Sequence, residues 1–159
     1  MRARRTARRL ALDVLYEAEI RDRLPLEALE ARETEGWVIP EAEDAADAPE
    51  HALEREPEES SSEVVDYTRR LVAGVQAHQA DIDALIVKYA DRWALQRMPV
   101  VDRTVLRMAL CELLWSADIP VAVAINEAVE LVKSLSTDDS GRFVNGVLGR
   151  IAEAEAART

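Results

Sequence analysis

Apolar residues recur at helical spacing along most of the chain. Ala7, Ala11, Val14, Leu15 and Ala18 fall at i, i+4, i+7, i+8 and i+11, one stripe of an amphipathic helix. Val65, Thr68, Leu71, Val72 and Val75 form a second stripe, which Ile82, Leu85, Ile86 and Tyr89 repeat. Ser60 and Glu63 stand before it at capping-box spacing, which predicts the helix start there. From Asp102 to Trp115 apolar residues surround nearly the whole circumference, the pattern of a buried central helix. Pro120 then occupies a position that a first helical turn tolerates, ahead of Val121, Ala124, Ile125, Ala128, Leu131, Val132 and Leu135. A last helix buries Val144, Val147, Leu148 and Ile151. No alternating pattern of useful length suggests a strand. The expected fold is an all-α bundle of six or seven helices.

One stretch breaks this periodicity. Residues 33–62 mix acid, Pro and Ser without a sustained apolar face, and read as a disordered or loosely ordered linker. The chain is otherwise expected to form one helical domain over 1–159, of a length able to bury a real core.

Charge changes the picture more than composition does. The formal net charge is −11, but residues 30–63 hold thirteen acids against two arginines and account for all of it. The remainder is balanced, and within it residues 1–10 (MRARRTARRL) carry five arginines and no acid. On a wheel of the first helix Arg5, Arg9, Leu12 and Tyr16 line one flank beside the apolar stripe, with Arg8 between flank and stripe. Asp13 and Glu17 take the opposite flank. Guanidiniums that bond phosphates, next to a phenol that can receive an unpaired base, suit RNA. A solvated Arg-rich terminus is the bland reading of the same residues.

Other chemistry is thinly supported. Cys111 is a single cysteine among apolar neighbours, so it forms no internal disulfide and reads as core. His51 and His78 lie far apart, without metal-ligand spacing. No Ser/His/Asp set or phosphate-cradling glycine loop is present, so neither an enzyme nor a cofactor is expected. Asp102, Asp138 and Asp139 read first as acids that cap or begin helices. Trp93 and Trp115 are expected in the core. The absence of a long apolar run or secretory signal predicts a cytoplasmic protein with no membrane partner.

Three stretches carry a resemblance: ARRTARRLALDVLYEAE at the start, VDRTVLRMALCELLW in the middle, and VAINEAVELVKSLSTDDSGRFVNGVLGRI at the end. Together they resemble the NusB family of bacterial transcription antitermination factors, over roughly residues 3–29 and 64–152. The resemblance implies a two-lobed helical fold. It implies pairing with NusE, a protein of the small ribosomal subunit, to bind the boxA element of nascent RNA. The antitermination complex so formed keeps RNA polymerase elongating through ribosomal RNA operons. By the same resemblance Arg4, Arg5, Arg8 and Tyr16 contact RNA, as do Asp139, Arg142 and Phe143 in the turn before the last helix. The helix beginning at Asp102 belongs to the NusE-facing side. Phe143, the one phenylalanine of the chain, is then a base-facing ring on the shoulder of the Val144, Leu148 and Ile151 stripe, with Arg150 beside it. The acidic segment departs from the family, whose connection here is usually shorter and less charged. Two other readings compete. The fold also resembles the N-terminal domain of some ribosomal RNA cytosine methyltransferases, which need a further Rossmann-like domain. Family members also differ in oligomeric state, which admits a homodimer that hides its RNA surface.

Overall fold

The computed structural model describes residues 2–36, 57–90 and 93–158. These form α1 (Arg2–Ile20), α2 (Pro25–Thr34), α3 (Pro57–Tyr89), a 3₁₀ turn at Leu95–Arg97, α4 (Val100–Trp115), α5 (Val121–Leu135) and α6 (Asp138–Ala157), with no strand among the described residues. The all-α expectation holds. The chain divides into two compact units, Met1–Val72 and Ala73–Thr159.

The ends of the acidic segment differ from expectation. α2 runs through Glu33 to Thr34, and α3 already begins at Pro57, so Ser60 and Glu63 lie inside a helix and do not start it. Proline is favoured in a first turn because its missing N–H would have no intrahelical acceptor, and Pro57 moves the start three residues upstream. Residues 37–56, the rest of the expected linker, lie outside the described residues.

In the first unit every residue of the expected α1 stripe is buried, from Ala7 to Ala18. The helix stops in a Schellman arrangement, with Asp22 left-handed at φ 54° and Arg23 N–H donating to the Ala18 carbonyl at 2.8 Å. Aspartate tolerates that conformation better than most side chains do. The reversal lays α2 against α1. There Arg32 Nε donates to Glu17 at 2.8 Å, which pulls the Glu17 carboxyl below its ordinary range. Arg69 of α3 pairs with Glu33 of α2.

In the second unit α4 is the central helix. Nine of its residues, from Asp102 to Glu112, are buried, and α5 and α6 both pack on it. α3 comes so close that a Cβ at Gly74 would stand 2.5 Å from Cys111 Sγ, which explains a glycine in a helix interior. Arg107 of α4 clasps Asp83 of α3 with two bonds, at 2.8 and 3.1 Å. Val144, Val147, Leu148 and Ile151 of α6 are fully buried as expected. Truncating Leu148 to alanine would cost about 2–5 kcal/mol.

Candidate nucleic-acid interface

In the first unit the arginines of α1 part company. Arg5 and Arg9 are exposed, Arg4 is half-buried, and Arg8 is buried at 5 % exposure. Leu12, expected on the open flank, is buried as well. Both corrections have one cause. α1 has α3 as a second neighbour, since Thr68 Oγ1 of α3 reaches the Ala7 carbonyl at 3.4 Å. A helix wedged between two others buries more than the single stripe a wheel displays.

Tyr67 of α3 gathers the guanidiniums. The Arg4, Arg8 and Arg70 guanidinium carbons lie 5.2, 5.8 and 5.5 Å from its ring centroid, and the ring itself is buried. Such distances give cation–π attraction. The aromatic ring thus holds together three charges from two helices. Sequence reading missed Tyr67 and Arg70, although Tyr67 lies one turn before Leu71 of the recognised stripe. Tyr16 is 42 % exposed, two turns beyond Arg9 on α1, and offers its ring to solvent as expected. Of the acidic flank of α1, Glu17 is taken up by Arg32, and Asp13 feels the charges of both Arg32 and Arg9.

In the second unit the site is the turn from α5 into α6. Thr137 caps α6, accepting the Ser140 backbone N–H at 3.1 Å. Ser140 is the hub. Its hydroxyl donates to Asp102 Oδ2 at 2.7 Å, and it receives Thr137 Oγ1–H at 3.2 Å, with Ser136 Oγ at 3.0 Å. Asp102 sits in the first turn of α4 and is 0 % exposed. Its carboxylate is therefore closed off from solvent within this chain. The expectation of a partner-facing residue passes to the helix, and Asp102 instead fastens the α5–α6 turn to α4.

Asp139 and Arg142 stand in the open on that turn and pair with each other. Phe143 is half-buried, neither a core plug nor a free ring. Trp93 packs on it edge-to-face, with centroids 4.7 Å apart and planes at 67°. Arg150, one helix face along, donates to the Tyr89 carbonyl at the end of α3. Trp93 is 37 % exposed and Trp115 41 %, so neither is the core residue expected; Trp115 stacks flat on His78 at 3.9 Å. Trp115 is the last residue of α4 and Trp93 follows the end of α3, positions where burial on one side leaves the other wet. Among the described residues no three acids, histidines or cysteines could hold a metal ion, and no helix is long and apolar enough to cross a membrane.

Comparison with known proteins agrees with the all-helical fold. The NusB family matches residues 5–153. The transcription antitermination protein NusB of Saccharopolyspora erythraea is 50 % identical over 153 residues, covering 96 % of this chain and 88 % of the relative. Among solved structures, NusB of T. maritima is 34 % identical, with a TM-score of 0.71 over 94 % of this chain and 90 % of the other. A NusB chain solved with NusE and double-stranded RNA gives a TM-score of 0.73 at 27 % identity, covering 97 % and 98 %. Matched along nearly its whole length by sequence and by fold, the chain belongs to the NusB family.

Proposed function

We propose that this protein binds boxA-type RNA together with NusE and so keeps RNA polymerase elongating through ribosomal RNA operons. The observation that carries the reading is the Tyr67 cluster, where three guanidiniums converge on one ring beside the exposed Arg5 and Arg9. The exposed guanidiniums of Arg5 and Arg9 are suited to neutralising phosphates. The α5–α6 turn adds Arg142 for phosphate, Phe143 for stacking and Asp139 for a base edge. In this reading α4 offers NusE its outer residues while Asp102 works from within. Every role is one of binding and none is catalytic. The reading is further supported by the likeness of this chain, over 97 % of its length, to a chain solved in a complex of NusB and NusE with double-stranded RNA.

Fluorescence anisotropy of a labelled boxA oligonucleotide tests it, titrated with the protein alone, with NusE alone and with both. Tighter binding by the pair than by either component, and weaker binding of a scrambled RNA, is the expected result. Equal affinity for boxA and scrambled RNA in the presence of NusE would refute it.

A further inference from the structure

Gly141 is buried in the first turn of α6, and the reason lies on the neighbouring helix. A Cβ at this position would stand 2.9 Å from Cγ of Lys133, 3.1 Å from Cε and 3.5 Å from Cδ. Lys133, in the last turn of α5, thus runs its stem across α6 in the space a side chain at 141 would fill. A lysine near a helix C-terminus is ordinarily explained by the helix dipole, and for that purpose it can extend into water. This one lies along α6 with its stem, out to Cε, over Gly141, the residue next to Arg142. Glycine is a poor helix former, so its use here needs a compensating contact. Asp139, the exposed acid next to Gly141, is engaged by Arg142, and among the described residues no carboxylate pairs with Lys133.

We propose that Lys133 is a phosphate-contacting residue of the RNA surface and that Gly141 is its positioning residue, the slot in which the lysine stem lies. The inference rests on the RNA-binding reading above. Chemically it adds a compact, mobile point charge beside the planar guanidinium of Arg142, suited to a backbone phosphate and indifferent to base identity.

The test uses the full chain with NusE and measures boxA RNA affinity over a series of salt concentrations. Lys133→Gln should lower the slope of log K against log salt by about 0.7 to 1, the share of one phosphate, and weaken scrambled RNA by the same factor. Lys133→Arg should keep the slope. Gly141→Ala should displace the stem and weaken binding without lowering the melting temperature, because alanine favours the helix. In the Lys133→Gln background Gly141→Ala should cost nothing further. Arg5→Ala serves as reference. A slope unchanged by Lys133→Gln but lowered by Arg5→Ala overturns the proposal and leaves the RNA reading standing; a slope unchanged by both overturns the two together. A Gly141→Ala penalty that persists without the lysine also overturns it, since the glycine would then serve something else.

Discussion

Replacing Ser140 with alanine removes the one hydrogen bond that reaches the Asp102 carboxylate among the described residues. Asp102 is wholly buried, its Oδ2 accepts from Ser140 at 2.7 Å, and its Oδ1 has no hydrogen-bond partner among the described residues. Leaving a buried acceptor unsatisfied costs about 1–3 kcal/mol, more if it is charged. The bonds from Ser136 and Thr137 are lost too, but those hydroxyls reach solvent and can turn to water. Alanine returns a few tenths of a kcal/mol in helix propensity. The expected net loss is about 2–3 kcal/mol, a fall in melting temperature of roughly 4–12 °C at this chain length. Asp102→Ala alone should also destabilise, by opening a cavity. The double variant should be less damaged than the sum of the singles by about 1–3 kcal/mol, because the second change removes the group the first left stranded. Chemical denaturation of the four proteins reads this directly. Additivity within about 0.5 kcal/mol would show that the bond holds nothing, and the account of Ser140 as the hub of the turn would fail.

Arg8→Ala should destabilise by about 1–2 kcal/mol through lost cation–π contact and packing, whereas Arg5→Ala should stay within about 0.5 kcal/mol, as thermal melts would show. Phe143→Ala should cost roughly 2 kcal/mol of stability, half of what a fully buried phenylalanine loses, together with about 1–3 kcal/mol of RNA binding. The full core penalty with unchanged RNA affinity would return that ring to the interior. Glu17 is held below its ordinary range by Arg32, so its contribution is present at neutral pH and is lost as pH falls through its folded value. Glu17→Gln should accordingly cost up to about 1 kcal/mol at neutral pH and nothing in strong acid, measured by denaturation across pH.

Periodicity carried most of the fold because a helix that buries one face must repeat its apolar residues. The stripes of α1 and α6 were legible for that reason, residue by residue. Arg8 and Leu12 were misplaced because a wheel represents one helix and not the second neighbour that α3 provides. The start of α3 was misread because the capping-box spacing of Ser60 and Glu63 outweighed Pro57 in a stretch dominated by acid. That Asp139, Arg142 and Phe143 share the α5–α6 turn was legible because they are close in sequence, while the RNA role proposed for them comes from the family resemblance. The candidate site was illegible where helices meet: Asp102 and Ser140 lie 38 positions apart, and nothing local announces their bond. Tyr67 belongs to the same class, since its role depends on arginines from another helix. Trp93 and Trp115 were assigned to the core by residue type, yet helix-end positions leave aromatic rings half out.

The contact between Trp93 and Phe143 has an optical consequence. A partly exposed indole, packed edge-on against the ring of the candidate site, emits at a wavelength set by the water around it. A base that settles on Phe143 dries that surroundings, so the native emission reports occupancy of the turn without any attached label. The chain has two other tryptophans, Trp37 and Trp115. With both replaced by phenylalanine, the single remaining indole, excited to the red of the three tyrosines, sits beside the ring that the RNA would cover.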